Sequence, residues 1–168
     1  MENTKNAFEF EYRLLDRCKQ DCEYYLGNGN GQDKWLWGKN VETHIAKMRE
    51  LYNLLPEKPE WLTKKDITAY ETRMLDVDVY NKAFEELRTL TDDNPPPTAN
   101  YWITDSINIF GYIEDNGDED CWICLQLEKY DADGDMIELK EFATDDVNQE
   151  ELSEQLEDLL HFYRRNWR

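Results

Sequence analysis

Between Ala7 and Leu26, apolar or aromatic residues recur at Phe8, Tyr12, Leu15, Cys18, Cys22 and Leu26. Steps of three and four keep them on one face of a helix. Gly27-Asn-Gly-Asn-Gly31 then predicts a stop and a loop, because glycine and asparagine tolerate positive φ. A second helix is predicted from about Asn40 to Leu54, with Val41, His44, Ile45, Met48, Leu51 and Leu55 on its apolar face and Pro56 and Pro59 beyond its end. Thr63, three residues before Asp66, is a variant capping box for a third helical stretch. That stretch carries a stripe of Ile67, Tyr70, Met74, Val77, Tyr80, Phe84 and Leu87. The pattern fits one long helix or two broken near Asp76.

After Thr91-Asp-Asp-Asn-Pro-Pro-Pro-Thr98 the period changes. Three consecutive prolines favour a stiff extended segment. Ile107, Ile109, Gly111 and Ile113 alternate with Asn108, Phe110 and Tyr112. Cys121, Ile123, Leu125 and Leu127 alternate with Trp122, Cys124, Gln126 and Glu128, and Met136 to Ala143 completes the set. Asp115-Asn-Gly-Asp118 and Asp131-Ala-Asp-Gly-Asp135 supply the turns. The expectation is a three-stranded antiparallel meander, which residues 100–103 would extend to four strands. A last helix is expected, capped by Asp145 or Asp146, with Leu152, Leu156, Leu159, Leu160 and Tyr163 facing inward. The fold class is therefore α+β: an N-terminal bundle of three to four helices (1–90), a proline-rich linker (91–98), and an acidic meander with a C-terminal helix (99–168).

Composition supports a folded chain, since 40% of the 168 residues are apolar and 22 are aromatic. No segment reads as a membrane span, and Met1 to Phe10 lacks the basic start and apolar run of a signal peptide, so a cytoplasmic protein with free thiols is expected. The net charge of −19 is uneven. Residues 1–90 hold 17 acids and 14 Lys/Arg, while 91–168 hold 21 acids and 5 Lys/Arg. A domain so acidic repels nucleic acid and anionic membranes and attracts basic surfaces.

Candidate chemistry thins out on inspection. Cys121-Trp-Ile-Cys124 has a zinc-like gap, but strand alternation sends the two thiols to opposite faces. Cys18 and Cys22 share the apolar face of a helix and read as buried thiols. Asp131-x-Asp-x-Asp135 lacks the glycine and glutamate positions of a calcium loop. His44 lies on an apolar stripe and reads as a core residue, and His161 sits near the basic end. No nucleophile–base spacing, phosphate loop or dinucleotide fingerprint stands out. No catalytic, cofactor-binding or metal-ligating residues are expected, and the chain reads as non-enzymatic.

Several segments of the first half carry a resemblance. They are Glu11-Tyr-Arg-Leu-Leu-Asp-Arg-Cys-Lys-Gln-Asp-Cys-Glu-Tyr-Tyr-Leu-Gly-Asn-Gly-Asn30, then Leu36-Trp37, Val41-Glu-Thr-His-Ile-Ala-Lys-Met48 and Leu54-Leu-Pro-Glu-Lys-Pro-Glu-Trp-Leu-Thr63. In this order they resemble the large polyvalent-protein-associated domain numbered eleven, over about residues 7–75. The resemblance implies kinship with proteins of phages, plasmids and conjugative elements. It brings no catalytic residues with it.

Charge and kinship together suggest an anti-defence inhibitor, anti-CRISPR or anti-restriction, occupying the basic nucleic-acid groove of a host protein. The expected partner is a CRISPR nuclease or restriction enzyme, with no direct binding of nucleic acid or membrane. Counterion release from phosphates drives such grooves, and fixed carboxylates can substitute for phosphates. The expected contact residues are Asp115, Asp118, Glu119 and Asp120 in one turn, Asp131, Asp133 and Asp135 in the next, and Glu150, Glu151, Glu154, Glu157 and Asp158 on the last helix. They are expected to gather into one surface, with Trp102, Tyr112 or Trp122 as aromatic anchors. The alternative is an accessory interaction module without mimicry, binding through an apolar patch.

Overall fold

A computed structural model describes residues 7–115, 117 and 121–167. The chain divides into two compact units between Asp78 and Val79.

In the first unit, α1 (Glu9–Leu26) and α2 (Val41–Leu54) are followed by the start of α3 (Lys64–Leu87), with short 3-10 turns at Asp33–Trp35 and Trp37–Lys39. α1 ends as its glycines require: Gly27 N donates to Glu23 O and Tyr24 O, and Asn30 and Gly31 take φ of 48° and 67°. Asn40 caps α2, its Oδ1 accepting from Thr43 N at 2.7 Å. The Thr63/Asp66 box forms in both directions, Asp66 N donating to Thr63 Oγ1 at 3.1 Å and Thr63 N donating to Asp66 Oδ2 at 2.8 Å. The core comprises Leu15, Cys18, Cys22, Tyr25, Val41, Ile45, Met48, Leu51, Leu62, Ile67 and Met74, among others. One position departs from the predicted stripe. Tyr25, three residues after Cys22 and so on the same helix face, is buried, and Leu26 is half-buried. The third helical stretch is unbroken at Asp76.

In the second unit the sheet is four-stranded and antiparallel, ordered β1 (Thr98–Thr104), β2 (Ile107–Asp115), β3 (Cys121–Tyr130) and β4 (Met136–Ala143). The residues after the prolines thus form a full strand, paired Thr98↔Tyr112 through Trp102↔Asn108. The proline-rich stretch 91–98 lies inside this unit, and Leu87 and Leu90 before it belong to its core. α4 (Gln149–Asn166) follows. Its cap is Asn148, whose Oδ1 accepts from Glu151 N at 2.9 Å, rather than Asp145 or Asp146. Asp146 instead accepts from the adjacent Val147 N at 2.7 Å. Asn148 has the extended backbone (φ −144°, ψ 165°) that aims a short side chain at the N3 amide.

Alternation decides the two faces of the sheet. Ile107, Ile109, Ile123, Leu125 and Leu127 pack with Leu152, Leu156, Leu159 and Leu160 of α4 and with Leu87 and Leu90. Gly111 allows that approach: a Cβ there would stand 2.8 Å from Leu90 Cδ1 and 3.1 Å from Leu87 Cδ2. Within this unit, helices therefore cover one face, and none of the unit's described helices packs on the other.

Candidate partner-binding surface

The described acids expected to contact a partner fall into three groups, not one. Asp115 ends β2 and is exposed, with its Oδ1 accepting from Gly117 N at 2.7 Å. Asp118, Glu119 and Asp120 lie outside the described residues. Asp131, Asp133 and Asp135 are exposed in the β3–β4 turn. Antiparallel pairing puts that turn at the opposite end of β3 from Asp115, whose partner is Cys121. Ten residues of strand at about 3.3 Å each separate the two by roughly 30 Å. Asp131 is also a turn builder, its Oδ1 accepting from both Asp133 N and Asp135 N at 3.0 Å.

The third group follows α4. Glu150, Glu154, Glu157 and Asp158 are exposed and Glu151 is half-buried. α4 starts beyond the end of β4, where Thr144 exchanges hydrogen bonds with Ile123. It runs back until Trp167 meets Lys129, whose Nζ lies 5.7 Å from the ring centroid. Asp115 and the acids of α4 thus share the end where β4 finishes. The stripe turns basic at Arg164 and Arg165 before it reaches the Asp131–Asp135 end. Acids in the first turn and arginines in the last also suit the helix dipole.

The expected aromatic anchors lie on the uncovered face of the sheet. Trp102 is 49% exposed, and Tyr112 and Trp122 are half-buried. This face also carries a polar network. Asn108 Nδ2 donates to Glu128 Oε2 at 3.0 Å, and Tyr130 OH donates to the same oxygen at 2.8 Å. The bond to that carboxylate raises the Tyr130 phenol above its usual range. Cys124 Sγ donates to Glu114 Oε2 at 3.2 Å, and Gln126 Nε2 donates to Glu141 Oε1 at 2.7 Å. The network pairs side chains that strand spacing alone leaves unassigned, since it needs the β2–β3 register.

The thiols and histidines have structural settings. Cys18 and Cys22 are buried in the helical core, which pushes their thiols up to about 11 and about 12. Cys22 Sγ lies 3.5 Å from Met48 Sδ. Cys121 and Cys124 belong to the second unit, on opposite faces of β3. No group of three or more His, Cys, Asp or Glu suited to a metal occurs among the described residues. His44 is fully buried: its Nδ1 accepts from Trp37 N at 2.8 Å, and its Nε2 lies 2.9 Å from Cys18 O. That pattern fixes a neutral ring with the proton on Nε2, and burial lowers its pKa. His161 is exposed on α4, beside a shallow groove lined by Phe142, Asp158, Phe162 and Arg165. No described helix is long and apolar enough to cross a membrane.

No curated protein and no solved structure matches the chain. The first unit is different: residues 8–74, the three-helix segment built on the Asn40 cap and the Thr63/Asp66 box, match the family model described as large polyvalent protein-associated domain 11.

Proposed function

We propose that this is a non-enzymatic protein of a mobile genetic element that inhibits a basic nucleic-acid-handling host protein, a CRISPR nuclease or restriction enzyme, through its acidic second unit. The observation that carries the reading is the exposed row Glu150, Glu154, Glu157 and Asp158 on α4, with Asp115 toward the start of that helix. From Glu150 to Asp158 the row extends about 12 Å along the helix, a length over which duplex DNA presents roughly seven phosphate charges. The Asp131–Asp135 turn falls outside this row, so among the described residues the contact set we propose is the acids of α4 with Asp115. The match of residues 8–74 supports the mobile-element setting and does not bear on the partner.

The test is displacement of a labelled DNA duplex from a Cas9-type nuclease and from a restriction enzyme of the host. Displacement should weaken steeply between about 50 and 200 mM salt. Glu150→Lys/Glu154→Lys/Glu157→Lys should abolish it. Binding that ignores salt and survives this triple variant would sink the mimic.

A second reading is favoured by one observation. Met136, Ile137 and Leu139 of the edge strand β4 are exposed, Ile137 at 57%. An apolar sheet edge suits an accessory interaction module that binds by strand pairing and tolerates salt.

A further inference from the structure

The uncovered face of the sheet combines three properties. Its first is ring surface. Trp102, Phe110, Tyr112, Trp122 and Tyr130 occupy positions on this face, with Trp102 and Tyr130 centroids 5.5 Å apart and Phe110 and Tyr112 5.8 Å apart. Its second is one-signed charge. Glu114, Glu128 and Glu141 share the face, and none of its strand positions carries Lys or Arg. Lys129 and Lys140 point the other way and lie over Trp167 and Phe162 on the helix side.

The third is an orphan acceptor. Asn108 is 5% exposed and Glu128 6%. Asn108 commits its amide nitrogen to Glu128, which leaves its Oδ1 buried without a hydrogen-bond partner. Flipping the amide would set that oxygen against a carboxylate, so the orientation is fixed by chemistry. A buried acceptor without a donor costs about 1–3 kcal/mol, a cost that a water or an N–H donor brought to this face would relieve. By register it sits between Trp102 and Glu128.

Rings, carboxylates and a spare acceptor all favour the same ligand group. A guanidinium stacks on aromatic faces, pairs with carboxylates and has five N–H donors. We infer that the open face of the sheet is a docking platform for an arginine-rich segment of a partner protein. The inference rests on the proposal that the partner is basic, and adds a second contact surface distinct from α4. Nucleic acid would also stack on these rings, but its phosphates meet three glutamates there.

The experiment titrates the full chain with deca-arginine, deca-lysine and an oligo-dT strand at about 150 mM salt, near the Debye regime where long-range attraction is screened. Binding is read by amide chemical shifts and tryptophan fluorescence. Deca-arginine should bind several-fold more tightly than deca-lysine and move the amides of β2 and β3. Trp102→Ala/Glu141→Gln, both at exposed positions, should weaken deca-arginine about tenfold. The α4 triple reversal should weaken it less than the sheet double variant does. Circular dichroism of each variant confirms folding. Equal affinity for the two peptides would overturn the inference, as would oligo-dT binding on this face or an unchanged affinity in the sheet variant. If α4 reversal alone abolishes peptide binding, the platform is refuted while the mimic proposal stands.

Discussion

In the helical unit, charges answer one another. Arg49 grips Glu71 with two bonds of 2.9 and 2.6 Å, and Arg17–Asp21, Lys19–Glu23 and Lys47–Glu50 pair along their helices. In the sheet unit, carboxylates stand in excess, and Lys129 and Lys140 lie over aromatic rings. Among the acids there, Asp115 and Asp131 accept from backbone amides at turns, Glu114, Glu128 and Glu141 accept from side chains on the sheet, Glu85 pairs with Arg88, and Glu150, Glu154, Glu157 and Asp158 line the outside of α4. Two units of one chain thus meet the same aqueous solvent differently. One resembles an ordinary solvated helical surface, and the other keeps a net negative field that an outside partner could neutralise.

Breaking each core is the strongest way to sharpen this contrast. Leu156→Ala in the sheet unit and Met48→Ala in the helical unit each delete a fully buried side chain. Each should lower stability by about 2–5 kcal/mol in urea unfolding. Added salt should recover part of the loss in the first variant, where self-repulsion adds to the deficit, and little in the second. Equal salt responses would break the comparison.

The next effect comes from His44, which belongs to the helical unit alone. Its folded-state pKa lies below its unfolded value because the buried ring cannot easily accept a proton. The unfolded chain therefore binds more protons as pH falls. Stability from this group is complete above about pH 6.5 and is lost as pH drops toward the depressed folded pKa. Urea midpoints measured from pH 7.5 to 5 should decline in the wild type and decline less in His44→Gln. A parallel decline in both proteins would place the acid sensitivity elsewhere.

The smallest effect is expected at the surface. Glu71→Gln removes one partner of a partly exposed pair, and should cost at most about 1 kcal/mol, less as salt rises. Thermal melts at low and high salt would check it.

What the sequence settled by itself was local. Steps of three and four placed α1, α2 and α3, and strict alternation placed β2 and β3, because those periods follow from backbone geometry. Thr63 with Asp66 marked a helix start, since a cap needs only near neighbours. Asn148 was overlooked because Asp145, Asp146 and Asn148, within four residues, could each cap, and backbone angles choose among them. The strand after the prolines was legible only in part, because its regular pattern of exposure belongs to an edge position in the assembled sheet. The candidate surface divided in the same way. Sequence showed where along the chain the acids are dense. Their separation into two sheet ends and one helix face, and the meeting of Asn108, Glu128, Tyr130 and Trp102, depend on strand direction and register. Those are long-range choices, fixed when the whole apolar face closes against α4, and no local period encodes them.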